Sequence, residues 1–279
     1  MIFDLHCHTC FSDGMLSPDA LVERAKARNV SVLAITDHDT IAGVGIAQKA
    51  ALEASIQLIP GIEFSSQWGR GGVHIVGLGI DTKSAVLTDA VSQQAQAREA
   101  RSIAIGERLA KLGFPCALTG AKSYAGESSV CRPHFAQYLV EVGAVKNINA
   151  AFKKYLGAGK PADVKYQWPR MDQVIRWIHD AGGVAVLAHP NKYELTRTKI
   201  CALADSFVAA GGDAIEVISG LQPSATTEDL LRIAADRNLY ASCGSDFHVP
   251  DQPWQELGGF GQLPNHAKPV WELLGCNTN

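Results

Sequence analysis

The chain has 279 residues, 28 of them acidic and 25 basic, for a net charge of −3 with 47% hydrophobic residues. That length allows one large α/β barrel or two modest domains, with ample room for a core. The charge excludes a global basic field for wrapping long nucleic acid, and no apolar run is long enough to span a bilayer.

The chain opens directly into Ile2-Phe3-Asp4-Leu5, a short buried strand, with no basic or apolar leader ahead of it. His6 and His8 follow on one face of the extended chain, with Cys7 pointing away. Ser12-Asp13-Gly14 then turns a carboxylate back toward that strand end. Pro18 to Asn29 reads as a helix with Leu21, Val22 and Ala25 inward and proline in its first turn. Val30 to Ile35 is a continuous apolar run, as a parallel strand covered on both faces requires. Helix is expected over Thr40 to Ser55, and strands over Ile56 to Glu63 and Val73 to Ile80. Beyond residue 170 the alternation resumes with helices at Met171–Ala181, Thr196–Ala210 and Ser224–Asn238. Strands are expected at Val184–Ala188, Ala214–Ile218 and Tyr240–Gly244. Repeated βα units of this kind imply an α/β fold with a parallel sheet, closed or nearly so, of about seven strands.

Residues 83–169 interrupt that pattern. A long polar helix at Ser84–Leu112 and shorter helical pieces around Arg132–Val142 and Asn147–Tyr155 leave almost no strand signal. The division is therefore a first barrel part at 1–82, a helical insertion at 83–169 capping the site, and a second barrel part at 170–279. In βα barrels function lies in the loops after the strands, so the insertion is expected to choose the substrate. The seven cysteines are odd in number and scattered, which suits free thiols in a reducing compartment and a cytoplasmic location. Cys7-His8-Thr9-Cys10 has no second pair to make a zinc ribbon and sits at a strand end rather than a helix start, so it reads as structural.

Polar clusters recur after the strands: Asp37 and His38, then Glu63, with His74 at the start of the next strand, His189 in Ala-His-Pro, and Asp246 and His248 after the last strand. His134 lies in the insertion. One such histidine is ordinarily a packed one, but several converging with carboxylates on one barrel mouth suit Zn, Fe or Mn, and exceed what one ion needs. His179, mid-helix, and His266, in the polar tail, read as structural.

The motifs D-L-H-C-H-T with S-D-G, T-D-H-D-T, G-I-E-F-S, V-H-I-V-G, R-P-H, A-H-P and G-S-D-F-H run in order along almost the whole chain. In them the chain resembles the PHP (polymerase and histidinol phosphatase) phosphoesterases, most closely the branch of nucleotide 3′,5′-bisphosphate phosphatases and 5′-to-3′ exoribonucleases. The resemblance implies a distorted seven-stranded (β/α)7 barrel and three divalent ions at its mouth, Mn foremost, with Fe or Zn as alternatives. It implies a first ion on His6, His8 and Asp246, Glu63 bridging to a second completed by His74 and His134, and a third on Asp13, His38 and His248. Many relatives have histidine where Asp13 stands here, and the added oxygen shifts preference weakly toward harder ions such as Mn or Fe(II).

The implied reaction is hydrolysis of a phosphate monoester, the 3′-phosphate of nucleoside 3′,5′-bisphosphates such as the conversion of pAp to AMP, extending to short RNA from its 5′ end. Catalysis would fall to Glu63, Asp246 and His189. His189 is left over from the metal scheme and is assigned to protonating the leaving oxygen or holding a phosphate oxygen. Arg132 offers forked donors for a phosphate, with Ser129, Lys160, Asn191 and Lys192 as further substrate-binding candidates. Asp37 and Asp39 either orient His38 or meet substrate. No membrane and no obligate protein partner is indicated. Competing readings are a histidinol-phosphate-type phosphatase, a binuclear amidohydrolase cleaving C–N bonds, and a non-catalytic metal-binding module. The amidohydrolase reading leaves Asp13, His38 and His248 unused, and a module that had lost catalysis would be missing ligands.

Overall fold

The computed structural model describes residues 1–165 and 168–276. Seven strands form one sheet in chain order: β1 (Phe3–Asp4), β2 (Val32–Ile35), β3 (Gln57–Trp68), β4 (Gly71–Leu78), β5 (Val184–Leu187), β6 (Ala214–Ser219) and β7 (Tyr240–Gly244). The sheet curls until its ends meet. Leu5 N donates to Cys243 O at 3.1 Å, Asp246 N to His6 O at 2.8 Å, and His8 N to Phe247 O at 2.9 Å. The result is a nearly closed seven-stranded α/β barrel.

Helices α1 (Pro18–Ala27), α2 (Val44–Ala54), α7 (Met171–Asp180), α8 (Arg197–Ala209) and α9 (Ser224–Ala235) lie between strands. In α1, Leu21, Val22 and Ala25 are buried and meet Leu33 and Ile35 of β2 and Ala47 of α2 in one apolar cluster. A larger cluster joins the outward faces of the strands, including Ile62, Phe64, Ile75 and Leu187, to α7 through Ile175 and Ile178.

The sheet is not parallel throughout, as the βα pattern implied. β4 runs antiparallel to both β3 and β5. Between Trp68 and Gly71, which pair across the ladder, stand only Gly69 and Arg70, and Gly69 takes φ +57°. So short a link makes a hairpin, whereas a parallel crossover needs a dozen residues or more. β3 accordingly runs five residues past Glu63, because Ser65, Ser66 and Gln67 pair with β4 rather than forming a polar loop.

Between β4 and β5 stand α3 (Ala85–Lys111), α4 (Ala117–Ala125), α5 (Arg132–Glu141), α6 (Ile148–Ala151) and a π-helical turn at Phe152–Leu156. The first turns of α3 bury Leu87 and Ala90 in the barrel cluster. Its far end, Ile105 and Leu109, packs with Phe135 and Leu139 of α5 in a separate one. Helix α4 escapes a hydrophobic-pattern reading because its buried face, Ala117, Ala121 and Ala125, is built only of alanines.

Candidate metal centre

The carboxyl ends of β1, β2, β5 and β7, the middle of β6 and the middle of the β3–β4 hairpin converge on one buried polar cluster. Glu63, inward on β3, lies at its centre with no solvent exposure. Its Oε1 is 2.9 Å from His74 Nδ1 and 2.9 Å from His189 Nε2. Its Oε2 is 2.9 Å from His38 Nδ1, 3.3 Å from His8 Nε2 and 3.4 Å from His6 Nε2. Burial pushes this carboxyl up, but the imidazoles, His74 and His38 foremost, outweigh it and hold the group well below the usual range.

The loops carry the rest. Asp246 Oδ1 is 3.2 Å from His8 Nε2 and 3.6 Å from His6 Nε2. Asp13 Oδ1 is 3.3 Å from His248 Nε2 and 3.8 Å from His38 Nε2. Two glycines explain how the chain comes this close. A Cβ at Gly244 would lie 2.4 Å from His6 Cβ, and one at Gly14 would lie 2.4 Å from His8 O, so the S-D-G and G-S-D motifs need glycine where they have it. His189 (φ 28°), Asp246 (φ 52°) and Asp39 (φ 55°) all hold left-handed backbone, a conformation persisting where its surroundings over-determine it.

Four overlapping groups could each hold a cation: His6, His8 and Asp246; His6, Glu63 and His189; His38, Glu63 and His74; and His8, Asp13, His38 and His248. Among the described residues ten buried side-chain atoms lack a hydrogen-bond partner, and seven belong to His6, His8, Asp13, His38, Glu63 and His189. Buried polar atoms are otherwise almost always satisfied, so orphans gathered at one point are what ligands without their ion look like. His38 Nδ1 shows it: 2.9 Å from Glu63 Oε2, yet without a hydrogen bond. The rings behind these atoms are oriented as ligands are. His6 Nδ1 is 3.2 Å from both oxygens of Glu216, and His248 Nδ1 is 2.9 Å from Asp246 O. An acceptor behind a ring takes its proton and leaves the Nε2 lone pair for a cation. The residues fit divalent ions.

The positions of the other expected residues differ. His134 lies in none of the four groups, whereas His189, expected outside the ligand set, lies in one. His134 sits in the first turn of α5 with its Nδ1 3.0 Å from Cys131 N, a cap on its own helix. Lys192 Nζ pairs with Asp246 Oδ2 at 2.6 Å, and Asn191 Nδ2 donates to Gln222 at 3.1 Å. Arg132 is half-buried with its guanidinium 5.8 Å from the Phe152 ring centre. Ser129 is half-buried and Lys160 exposed. The Asp37 carboxylate turns away from the His38 ring in its hydrogen bonding. It accepts from Thr9 N (2.7 Å), Thr9 Oγ1 (2.6 Å) and Ser12 Oγ (2.7 Å), fixing the loop that bears Asp13. Asp39 accepts from Ser65 N, Gln94 and Arg98. His179 pairs with Asp213 at 2.8 Å and His266 approaches Glu228 at 3.6 Å, both away from the cluster.

Two groups escape a sequence reading. Glu216 on β6 holds His6 and also accepts from His189 N at 2.7 Å; its signal is a lone carboxylate in the otherwise apolar run Ala214–Ile218. Gln94 and Arg98 interrupt the buried stripe of α3 between Ala90 and Ile105, and that polar break marks where the helix meets Asp39.

The PHP domain family matches residues 4–183. The chain belongs to that family. This PHP-domain protein is 46% identical to a 5′-3′ exoribonuclease of Haemophilus influenzae, over 97% of this chain and 98% of that one. It is 43% identical to the 5′-3′ exoribonuclease Rnm of Escherichia coli (98% and 94% covered). It is 42% identical to a 3′,5′-nucleoside bisphosphate phosphatase of Chromobacterium violaceum (97% and 95%). Among solved structures it superposes on an amidohydrolase from Chromobacterium violaceum with bound sulfate and no metal, with TM-score 0.93 and 39% identity, covering 99% of this chain and 96% of that one. A metal-dependent phosphoesterase from Bifidobacterium adolescentis gives TM-score 0.82 and 29% identity, with 98% and 94% covered. No helix among the described residues of the PHP-domain protein is long and apolar enough to cross a membrane.

Proton balance gives a first expected result. Burial lowers His248, but Asp13 outweighs it and raises the ring to about 9. Burial likewise opposes charge on His6 and His38, but nearby carboxylates (Glu216 first for His6, Glu63 first for His38) raise both. His8 instead falls to about 3, from burial and then from the charge of His248. Metal-free protein therefore keeps a proton on His248 at neutral pH and holds protons on His6 and His38 more tightly than a free imidazole does, and loading must displace them. Calorimetric titration with Mn(II) in buffers of different ionisation enthalpy should show proton release and an apparent affinity rising from pH 6 to 9. Loading without proton release would reject this set of ligands. Conversely, the His248–Asp13 pair stabilises metal-free protein fully below the unfolded histidine value near 6.5, a contribution lost as pH rises through about 9.

Proposed function

We propose that this protein is a metal-dependent phosphoric ester hydrolase that removes the 3′-phosphate of nucleoside 3′,5′-bisphosphates and degrades short RNA from its 5′ end. The observation that carries this reading is the ring of imidazoles and carboxylates around Glu63, whose orphaned atoms provide for more than one cation. The relatives described as 3′,5′-nucleoside bisphosphate phosphatase and 5′-3′ exoribonuclease support the substrate class.

Three divalent ions are proposed: one on His6, His8 and Asp246, a second on Glu63, His74 and His189, and a third on Asp13, His38 and His248. His189 replaces His134 in the second set, because its Nε2 faces Glu63. Mn is the proposed ion, with Fe as its nearest rival, given the oxygen of Asp13. When bound, such ions stabilise charge on phosphoryl oxygens and supply a nucleophile at neutral pH. The chain's own part is orientation. Glu216 holds His6 and the backbone of His189, Asp37 holds the loop of Asp13, and Lys192 balances Asp246. The helices between β4 and β5 are proposed to choose the substrate, and the location is proposed to be cytoplasmic.

The test is a screen of Mn-loaded protein against phosphorylated metabolites, 5′-phosphorylated RNA oligonucleotides and N-acyl compounds, with elemental analysis alongside. Preference for nucleoside 3′,5′-bisphosphates and close to three ions per chain is expected. Hydrolysis confined to histidinol phosphate or to C–N bonds would replace this reading, and a ceiling of two ions under Mn or Fe supplementation would reject the third site.

A further inference from the structure

The barrel mouth has two unlike rims. On one, the helices between β4 and β5 close over the loops after β1 and β2 and over the wall of β3. Ser128 Oγ donates to Ser12 O at 3.1 Å, and Gln94 and Arg98 both donate to Asp39 and to Ser65. The loops after β5, β6 and β7 make the other rim. Two large apolar side chains stand in solvent there: Leu221 is 64% exposed and Trp254 54%. They belong to one ledge, because Leu221 N donates to Trp254 O at 2.7 Å. Gly220 permits that approach, since it holds φ +64° and a Cβ on it would lie 2.5 Å from Trp254 O.

The ledge is tied directly to the metal cluster. Trp254 lies in a short 3-10 turn, Pro253–Gln255, stiffened by its first-position proline. The next side chain, Gln255, donates through Nε2 to Asp246 O at 2.7 Å and lies 3.4 Å from Asp246 Oδ2. The indole is thus one residue from a group touching a proposed metal ligand. The same loops carry unsatisfied polar atoms. Gln222 Oε1 accepts from Asn191 Nδ2 at 3.1 Å and from Ser219 N at 3.3 Å. Asn191 Oδ1 and Ser219 Oγ, both buried, have no hydrogen-bond partner among the described residues. Buried polar atoms rarely stay unpaired, so this rim fits a ligand that is flat and apolar on its face and polar at its edge. A nucleoside has that character, and its base stacks on an aromatic ring whatever the sequence.

We infer that the Leu221–Trp254 ledge is a subsite for the nucleotide that follows the scissile phosphate in single-stranded RNA, its base stacked on the Trp254 indole. The inference rests on the RNA half of the proposed function. RNA taken from its 5′ end puts one phosphate at the cluster and must send everything 3′ of that phosphate out of the mouth. Helices cover the rim of β1 to β3, so the continuing chain crosses the rim of β5 to β7, where the ledge stands. A nucleoside 3′,5′-bisphosphate ends at the scissile phosphate and leaves the ledge untouched.

The experiment compares Mn-loaded wild type, Trp254→Ala and Trp254→Phe on two substrates that are identical up to the scissile phosphate. These are adenosine 3′,5′-bisphosphate and the 5′-phosphorylated adenosine dinucleotide, the second also prepared without its second base. The ratio of kcat/KM for dinucleotide over bisphosphate should fall about tenfold in Trp254→Ala, as loss of one stacked base implies. Wild type should show a similar fall when the second base is missing. Trp254→Phe should keep most of the ratio, because a phenyl ring still stacks. Metal per chain and Tm should match wild type in both variants, the indole being exposed. Binding without turnover is read by titrating metal-free protein with the dinucleotide. Part of the tryptophan fluorescence should be quenched in wild type, and that part should be absent from Trp254→Phe. An unchanged ratio in Trp254→Ala, or quenching that survives in Trp254→Phe, would overturn the inference. If wild type hydrolyses neither substrate, the functional reading fails by itself. The titration then still decides the ledge: quenching confined to Trp254 upholds it, and no quenching overturns it.

Discussion

Glu63→Gln is expected to lower the phosphoesterase rate by at least about 100-fold, the upper range seen for loss of a mere outer partner of a metal, and to lower the metal bound per chain. The substitution keeps shape and volume while removing the charge on which five imidazoles converge. His74 and His189 face one oxygen at 2.9 Å each, and His38, His8 and His6 face the other within 3.4 Å. An amide offers one oxygen where two were used, and turns an N–H2 toward rings that need an acceptor or a shared cation. His6→Ala should behave the same way, because it removes a member of two of the four candidate groups. Cys10→Ser, at an exposed position, should keep both rate and metal. Elemental analysis beside steady-state kinetics decides it: a fully loaded and active Glu63→Gln would mean that the carboxylate is not the bridge.

Much of this centre is legible in the order of the residues. His6 and His8 alternate with a buried Cys7, and the acids and histidines of T-D-H, G-I-E and S-D-F-H each follow an apolar run. Strand period and barrel topology together therefore bring them to one mouth. What stays hidden is orientation. Sequence shows that His134 and His189 are imidazoles near strand or helix ends, but not which nitrogen faces a donor and which an acceptor. Only the 3.0 Å contact to Cys131 N and the 2.9 Å contact to Glu63 separate them. Glu216 is hidden for a related reason, since a single carboxylate in a short strand reads as solvent-facing when its partner is 210 residues away. The antiparallel β4 escapes because a two-residue link between apolar runs carries no helix to signal direction, although its Gly-Arg-Gly composition is an available clue.

Arg98→Met should cost about 3–5 kcal/mol, because it strands a buried carboxylate rather than simply losing a contact. Asp39 is 2% exposed and Arg98 7%. The guanidinium donates to Asp39 Oδ2 at 2.6 Å, to Ser65 Oγ at 3.1 Å and to Cys131 Sγ at 3.1 Å. It thus ties α3 to the loop beside His38, to β3 and to the residue that caps α5. Methionine fills much of the space and supplies no donor, leaving Asp39 with Ser65 N and Gln94 alone. For a chain of this size that loss lowers Tm on the order of 10 °C. The double variant Arg98→Met/Asp39→Asn should regain part of it, because the charge left unpaired by the first change is removed by the second. An unchanged Tm in the single variant would show that Asp39 is satisfied without Arg98, and the junction would then have to be sought in Ser128 Oγ, which reaches Ser12 O at 3.1 Å.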